Sequence, residues 1–406
     1  MHVIFIEPAF PHNQRQFVRA LAAVGASVIG IGERPRSALD DELKSWLTEY
    51  VQVPSVVHEP SLLDAVRRVQ RQVWVDRLEA TVEAHIMPSA KVREACAIPG
   101  TSVHTAWLCR DKPSMKEALR AAGIPCAQSA SIESPAAARE FARAVGYPVI
   151  FKPRAGAGAA GTTRIDNNSQ LEHAIATFGV DRGQSIAVEE FIEGHEGFLD
   201  TLTIRGEVAH EFVSHYYPNV LEAMRERWIS PQIIATNRLN AEGYDEVKRL
   251  ARHVITALDI GTSATHMEWF YGPKGLKFSE IGCRPPGVGQ WDVYAAANDF
   301  DIYREWAMAI VHGTTSQTPS RRYSCGMIAL RPNRDGRITG YGGLERIERE
   351  FGEWIVAAHF PPPGTPTQPI EAGYMANAWM RVRHPDYDHL RYIMNTIGET
   401  VKVWAQ

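Results

Sequence analysis

The stretch from residue 266 to residue 287 constrains the fold more than any other part of this sequence. It reads HMEWFYGPKGLKFSEIGCRPPG, with two runs of alternating polarity on either side of a proline, a lysine and a glycine at positions 273–275. That triplet suits a three-residue β-hairpin loop whose glycine lies in the left-handed region. Such a loop sets the cross-strand pairs as Gly272 with Leu276, Phe270 with Phe278, and Glu268 with Glu280. We therefore expect two antiparallel strands that carry two carboxylates on one face of a sheet.

The opposition of Glu268 and Glu280 indicates a bound cation. Directly opposed like charges destabilise a sheet, because their Cβ atoms lie only about 4.5–5.5 Å apart. A divalent cation reverses that penalty, and Mg²⁺ is the natural candidate, since it binds through one or two carboxylates together with substrate phosphates. The alternative is a turn of another length, whose one-residue slip puts the two acids on opposite faces as ordinary solvated charges.

Two candidates for substrate contacts follow this hairpin. Arg284 lies four residues after Glu280, before the rigid Pro-Pro-Gly segment 285–287, where a guanidinium can bind a phosphate or a carboxylate through two hydrogen bonds. Trp291 lies in the adjoining segment 288–294 and could limit the size of a substrate side chain. The alternatives are a surface ion pair for Arg284 and core packing for Trp291.

A glycine-rich loop occupies residues 156–161, where Gly156, Gly158 and Gly161 match the letters G-x-G-x-x-G. In a dinucleotide-binding domain a helix begins at this loop and places its N-terminus on the pyrophosphate. Here the loop runs instead into Thr-Thr-Arg-Ile, so we expect a flap between two antiparallel strands that folds over phosphates. Lys152, at the end of the incoming strand, and Lys112, at a helix start, are the cations expected beside such anions. A surface hairpin without a ligand is the alternative.

The composition restricts the class of protein. A length of 406 residues predicts two to three domains, at roughly 100–200 residues each. The formal charge of −4 provides no overall field for nucleic acid or an anionic membrane. No run approaches the roughly 20 apolar residues of a membrane span, and five separated cysteines suggest neither disulfides nor zinc. We expect a soluble cytoplasmic protein.

The chain divides into three parts by its secondary-structure signals. Strand–helix alternation over residues 1–108 predicts a parallel sheet covered by helices, and its first turn lacks the glycine that a pyrophosphate site needs. Residues 109–318 combine well-capped helices with strands and glycines. Residues 319–406 are punctuated by proline and glycine and predict a small α+β unit. The expected fold class is therefore mixed, α/β and α+β.

Four segments, taken in order, resemble the ATP-grasp superfamily across about residues 109–315: Asp111-Lys112, YPVIFKPRAGAGAAG, VEEFIEGHE and MEW…FSEIGCRPPG. The spacing Glu-Ile-Gly-x-Arg is especially similar to that of the ADP-forming L-amino-acid ligases. Many ATP-grasp enzymes carry Asn two residues after the second metal-binding Glu, where this chain has Gly282. The resemblance implies an ATP-grasp architecture: a Rossmann-like domain over 1–108, an ATP-grasp domain over 109–318 with a lid lobe at about 112–190, and a C-terminal α+β domain over 319–406.

The resemblance also implies a role for each matching residue. The ATP phosphates would be bound by Lys112 and Lys152 and covered by the loop that contains Gly156, Gly158 and Gly161. The adenine would lie along Glu189, Glu190 and Ile192, mostly against their backbone, and Glu196 would bind the ribose. Glu268 and Glu280 would hold Mg²⁺, with Mn²⁺ as an alternative metal. Arg284 would act with Lys152 in catalysis and stabilise the phosphoryl group and the acyl intermediate.

The function expected from these residues and this resemblance is that of an ATP-dependent carboxylate–amine ligase. It would join small substrates, by resemblance amino acids, through an acyl phosphate and release ADP and phosphate. The expected partners are thus a small-molecule carboxylate and an amine, with no nucleic acid and no membrane. Assembly into a homodimer is an open alternative. The alternatives are ATP-dependent carboxylation of the biotin-carboxylase kind and a non-catalytic nucleotide-binding protein.

Overall fold

The computed structural model describes residues 1–155, 161–370 and 377–406. Its N-terminal part contains a four-stranded parallel sheet in the order β3-β2-β1-β4. Alternate residues of β1 face opposite sides, so that Ile4 packs against α3 while Phe5 packs against α1 and the rest of the chain. The elements are β1 (His2–Ile6), α1 (Gln14–Ala23), β2 (Ser27–Gly32), α2 (Asp41–Trp46), β3 (Glu49–Gln52), α3 (Glu59–Gln70), β4 (Arg77–Glu79), α4 (Glu83–Ala95) and α5 (Val103–Leu108).

A second sheet is small and antiparallel, in the order β5-β8-β6-β7. Two helices, α7 and α8, cover its apolar face. The glycine-rich segment connects β6 to β7, which pair in antiparallel fashion, as the sequence predicts for its flanking strands. The elements are α6 (Lys112–Ala121), β5 (Ser129–Ile132), α7 (Pro135–Val145), β6 (Val149–Lys152), β7 (Thr163–Ile165), α8 (Asn168–Thr177) and β8 (Ile186–Glu190).

The third sheet has eight antiparallel strands in the order β13-β12-β9-β10-β11-β14-β17-β16. Three of these strands come from the C-terminal part: β14 (Ser324–Leu330), β16 (Ile355–His359) and β17 (Ala378–His384). Helices α6 and α10 pack on one face of its first half, and α11 and α12 pack on the other face together with the N-terminal part. The elements of this part are β9 (His195–Ile204), β10 (Glu207–Tyr217), α9 (Val220–Ala223), β11 (Gln232–Ala235), α10 (Gly243–Ala257), β12 (Ser263–Gly272), β13 (Gly275–Gly282), α11 (Gln290–Asn298) and α12 (Ile302–His312).

The C-terminal part continues this eight-stranded sheet. It supplies three strands of that sheet and a separate pair, β15 with β18, and α13 and α14 cover one face. The elements are β14 (Ser324–Leu330), β15 (Ile338–Gly342), α13 (Leu344–Phe351), β16 (Ile355–His359), β17 (Ala378–His384), α14 (Tyr387–Thr400) and β18 (Lys402–Ala405). In the described parts of the chain, no helix has the length and apolar character needed to cross a bilayer.

Candidate active site

A pocket of about 420 Å³ lies between the small antiparallel sheet and the β9, β12 and β13 end of the large sheet. Side chains from both sheets and from the segment after β10 line it. Eight residues predicted from the sequence are among its lining residues: Lys112, Lys152, Glu189, Glu190, Ile192, Glu196, Glu268 and Glu280. Of the three loop glycines, Gly156 and Gly158 lie outside the described residues, and Gly161 is described with a φ of +69°.

The hairpin that carries two of these glutamates has a loop one residue shorter than predicted. Gly272 pairs with Gly275, so the loop contains only residues 273–274. Gly275 has a φ of +73°, in the left-handed region where the sequence places it. Because the loop is shorter, the pairs near the turn are displaced by one residue, and the predicted pair of Phe270 with Phe278 is wrong.

A β-bulge restores the predicted register at the glutamates. β13 has one extra residue, Ser279, opposite the step from Glu268 to Trp269 in β12. Glu268 therefore stands opposite Glu280, as predicted. The bulge lets Phe278 point into the core, while Ser279 and Glu280 both line the pocket. The residue that the loop lacks is thus compensated by the extra residue in the strand.

Lys112 and Lys152 enter the pocket from the side of the small sheet. Lys112 begins α6, where the side chain of Asp111 caps the helix, and its Nζ lies 3.2 Å from Oε2 of Glu280. Lys152 ends β6, and its Nζ lies 2.8 Å from Oε2 of Glu189. Both predicted lysines are therefore adjacent to pocket carboxylates from other elements.

Sequence reasoning missed a third cation, Lys116. Its side chain is 1% exposed, and its Nζ lies 2.5 Å from Oε2 of Glu189. The Glu189 carboxylate therefore lies between Lys116 and Lys152, an ionic role that the sequence did not assign to it. Lys116 follows Lys112 by one turn of α6, and this i, i+4 spacing is the signal that could have identified it.

Burial and the neighbouring charges shift the pKa values of the residues in this cluster in different directions. Burial lowers the pKa of Lys116 to about 8, although Glu189 opposes that shift. Burial also acts on Lys152, but Glu189 and Glu280 outweigh it and raise the pKa of Lys152. Burial alone would raise the pKa of Glu280, but Lys112 and Lys152 hold it well below its usual range. Glu280 is therefore an anion at neutral pH.

Glu196 fixes the pocket wall formed by the segment after β10. Its carboxylate accepts a 2.6 Å hydrogen bond from the backbone N–H of Val220. The side chain of Asn219 accepts a 3.0 Å hydrogen bond from the N–H of Glu196 and was not predicted. Burial, and after it the nearby charge of Glu268, raises the pKa of Glu196. The ribose contact of Glu196 stays a prediction.

Glu190 and Ile192 lie along the same pocket as the end of β8 leads out of the small sheet. The Nζ of Lys274, in the hairpin loop, is 3.6 Å from Oε2 of Glu190. The guanidinium of Arg164 lies 4.3 Å from the ring centre of Phe191, and both side chains line the pocket. A planar surface of this kind can stack on an aromatic base, and the adenine contact stays a prediction.

Arg284 and Trp291 do not line this pocket. The Nε of Arg284 lies 2.7 Å from Oε2 of Glu83 in α4, beside a small cavity of about 20 Å³. Its catalytic role stays a prediction. Trp291 is 4% exposed and packs 5.0 Å from Phe17 and 5.1 Å from Tyr303, measured between ring centres. Trp291 therefore packs in the core, on a face of α11 that the N-terminal part covers, and its substrate contact stays a prediction.

Sequence reasoning also missed a polar chain that reaches Glu268. The imidazole of His266 has its Nδ1 2.6 Å from Oδ1 of Asp200 and its Nε2 3.5 Å from Oε1 of Glu268. Tyr294 donates a hydrogen bond to the other oxygen of Asp200. Burial alone would lower the pKa of His266, but Asp200 and Glu268 raise it to about 9. The available signal was that His266 precedes Glu268 by two residues and so shares its face of β12.

The donor set fits a hard divalent cation. Glu268 and Glu280 supply carboxylate oxygens on one face of the hairpin, which are the ligands that Mg²⁺ prefers. No group of three or more His, Cys, Asp or Glu side chains in residues 1–155, 161–370 and 377–406 could hold a metal ion by itself. The two glutamates thus fit a cation that takes its remaining oxygens from a bound phosphate and water.

Apart from Lys112, the residues that line the pocket between the two sheets lie within the part of the chain that matches a known domain family. Residues 117–300 match the ATP-grasp domain family. The chain therefore contains an ATP-grasp domain, and L-amino acid ligases are among the proteins that it resembles.

The sequence identity of the chain to individual known proteins is low. The chain is 28% identical over 294 residues to the L-arginine-specific L-amino acid ligase of Bacillus subtilis, a match that covers 68% of each protein. The structure of the L-amino acid ligase from Bacillus licheniformis aligns with a TM-score of 0.77 at 18% identity, over 100% of this chain and 98% of that one. The N5-carboxyaminoimidazole ribonucleotide synthetase of Thermotoga maritima aligns with a TM-score of 0.71 at 19% identity, over 100% and 99%. The two structures share the fold of this chain.

Proposed function

We propose that this protein is an ADP-forming carboxylate–amine ligase that joins two small substrates, of which at least one is an amino acid. The observation that carries this proposal is the pocket in which Lys112 and Lys152 lie among the opposed carboxylates of Glu268 and Glu280. These are the charges that transfer of a phosphoryl group requires. The L-amino acid ligase relatives support the substrate class.

The proposed reaction overcomes the poor reactivity of a carboxylate. A carboxylate oxygen attacks the γ-phosphorus of ATP, the bond from that phosphorus to the β–γ bridging oxygen breaks, and ADP leaves. The acyl phosphate that forms is attacked at its carbonyl carbon by a neutral amine. Phosphate then leaves, the amine loses a proton, and an amide remains. These steps need charge neutralisation and positioning more than a protein nucleophile.

The chain supplies both requirements. The ammonium groups of Lys112 and Lys152 would bind the phosphate oxygens and neutralise the charge that develops on them. Glu268 and Glu280 would hold Mg²⁺, which when bound neutralises phosphate charge and aligns the terminal phosphates. Glu280 is suited to this because its low pKa keeps it ionised. The loop that contains Gly156, Gly158 and Gly161 would exclude water.

Arg284 would bind the carboxylate substrate and the acyl phosphate made from it. It lies two residues beyond the end of β13, the strand that carries Glu280. Its guanidinium is paired with Glu83 at 2.7 Å. A substrate carboxylate would therefore compete with that ion pair for Arg284.

ATP-dependent carboxylation is the second candidate function, and the fold shared with the N5-carboxyaminoimidazole ribonucleotide synthetase of Thermotoga maritima favours it. In that reaction bicarbonate takes the place of the carboxylate substrate and forms carboxyphosphate. The same lysines and glutamates would serve both reactions. The acid that the enzyme activates therefore distinguishes the two functions.

A substrate screen tests the proposal. Phosphate release from ATP is measured with amino acids singly, in pairs, and with bicarbonate plus each amine, and products are identified by mass. Release that requires both an acid and an amine, with a product of their summed mass less water, is the expected result. Bicarbonate-dependent release would favour carboxylation. ATP binding without turnover in every mixture would leave only a nucleotide-binding protein.

A further inference from the structure

Glu268 needs an anchor if it is to bind a cation well. A glutamate side chain has several rotatable bonds, and fixing them costs conformational entropy when the metal binds. Carboxylates that bind metals are commonly held by a second layer of hydrogen-bonding groups, which sets their orientation. Glu280 already has Lys112 at 3.2 Å. The groups around Glu268 decide whether it is held in a comparable way.

One oxygen of Glu268 is approached from two sides. The Nε2 of His266 and the hydroxyl oxygen of Tyr216 each lie 3.5 Å from Oε1. Both groups come from the large sheet, on strands β12 and β10. Both contacts are longer than ideal hydrogen bonds.

The imidazole of His266 is itself fixed from behind. Its Nδ1 lies 2.6 Å from Oδ1 of Asp200, whose side chain is 2% exposed. The hydroxyl of Tyr294, which is fully buried, donates to the other oxygen of Asp200. Asp200 therefore has both carboxylate oxygens engaged and provides a rigid support for the ring.

The support continues into α11. The hydroxyl of Tyr294 lies 3.3 Å from Oγ of Ser214, to which the side-chain amide of Gln290 donates at 3.0 Å. Ser214 and Gln290 are at most 1% exposed. A chain of buried polar contacts thus runs from the start of α11, across β10 and β9, to the edge of the pocket.

We propose that His266 is a positioning residue that orients the carboxylate of Glu268 toward the divalent cation, with Asp200 holding its imidazole. The proposal rests on the metal role of Glu268 in the proposed function. His266 would not contact the cation itself. By fixing the side chain of Glu268, it would lower the conformational entropy that metal binding costs. Loss of such a supporting group typically weakens metal affinity about 10- to 100-fold.

Two substitutions separate the two sides of the ring. His266→Asn keeps a polar group near the position of Nδ1, facing Asp200, and removes the group that faces Glu268. His266→Gln places its amide nitrogen near the position of Nε2 and keeps a donor toward Glu268. A role in positioning predicts that the Asn variant loses more metal affinity than the Gln variant. A general need for a ring in the core predicts similar damage from both.

The control is a histidine in a comparable pair outside the pocket. His210, in β10, has its Nε2 3.5 Å from Oε2 of Glu305, and the two side chains are 5% and 0% exposed. His210→Asn therefore removes a similarly placed imidazole from a buried carboxylate. It reports the cost of such a change to the fold without a change at the metal.

The measurement is the affinity for Mn²⁺ in the presence of saturating ADP, from the electron paramagnetic resonance signal of free Mn²⁺. We expect His266→Asn to weaken Mn²⁺ binding about 10-fold or more, His266→Gln to weaken it less, and His210→Asn to leave it unchanged. Parental affinity in His266→Asn, or equal losses in the Asn and Gln variants, would overturn the inference. If Glu268→Gln and Glu280→Gln also bind Mn²⁺ like the parent, the metal site of the proposed function fails together with it.

Discussion

Lys116 offers a direct test of how the pocket balances stability against charge. Its ammonium group is buried at 1% exposure beside Glu189, which also pairs with Lys152. Replacement of Lys116 by methionine removes the charge and keeps a side chain of similar length. Because Glu189 retains Lys152 as a partner, the substitution leaves no carboxylate without a cation. We expect Lys116→Met to stabilise the protein.

The size of this effect follows from the pKa of Lys116. It lies at about 8 rather than at the ordinary 10.5, with burial as the main cause. At about 1.4 kcal/mol per pKa unit, this gap corresponds to a cost of about 3 kcal/mol for keeping the ammonium buried. For a domain of 150–250 residues, each kcal/mol shifts the melting temperature by about 2–4 °C. The expected gain for Lys116→Met is therefore at most about 12 °C.

The pH dependence distinguishes this explanation from better packing. The folded pKa is depressed, so the full cost of the charged Lys116 is present below pH 8, where both the folded and the unfolded chain are protonated. Between pH 8 and 10.5 the folded state loses the proton while the unfolded state keeps it, and the parent protein gains stability as the pH rises. The advantage of Lys116→Met should therefore shrink across that interval.

Thermal unfolding at pH 7 and at pH 9.5 measures both effects, and Lys152→Met is the matched control. The pKa of Lys152 is raised because Glu189 and Glu280 outweigh its burial. Its ammonium is thus favoured by the site, and Lys152→Met should lower the melting temperature. A lower melting temperature for Lys116→Met at pH 7, or an advantage that does not fall at pH 9.5, would refute the argument.

Three further substitutions test other parts of the site. Glu280→Gln should lower the rate of ADP formation about 10²–10³-fold and leave the far-UV circular dichroism spectrum unchanged. The control, Glu207→Gln at an exposed position, should change neither the rate nor the spectrum. Normal turnover in Glu280→Gln would remove the metal assignment. Because Trp291 is buried, Trp291→Ala should lower the free energy of unfolding by about 3–5 kcal/mol. Initial rates should show an unchanged KM for both substrates. A changed substrate preference would instead support a contact between Trp291 and a substrate. Arg331 donates to the backbone carbonyls of Ala223 and Glu226, in the segment after β10 that lines the pocket. Arg331→Met should therefore raise the KM for ATP more than it lowers kcat. A fall in kcat alone would contradict this role of Arg331.

Local patterns in the sequence were sufficient for several parts of the site. The β-branched residues after the glycine-rich loop indicate a strand rather than a helix, and β7 is that strand. Asp111 caps α6 and places Lys112 at its start, as capping chemistry predicts. The alternating hairpin brings Glu268 opposite Glu280. Each of these features depends on neighbours within about a dozen residues, so propensity and periodicity can reveal it.

The bulge at Ser279 shows where such reasoning ends. The sequence does not mark the extra residue, because a bulge is chosen by what packs on each face of the strand. Phe278 fills the core on one face while Glu280 must reach the pocket on the other. The predicted glutamate pair was right although both the loop length and the neighbouring pair were wrong.

The sequence by itself determined the glutamate hairpin, the strand after the glycine-rich loop and seven of the charged residues that line the pocket. The tertiary structure decided which charges meet: Lys116 with Glu189, His266 with Asp200, and Arg284 with Glu83. These partners are 66 to 201 residues apart in the sequence. Such contacts form only when separate sheets and helices pack, and burial then sets their strength, so no local pattern can specify them.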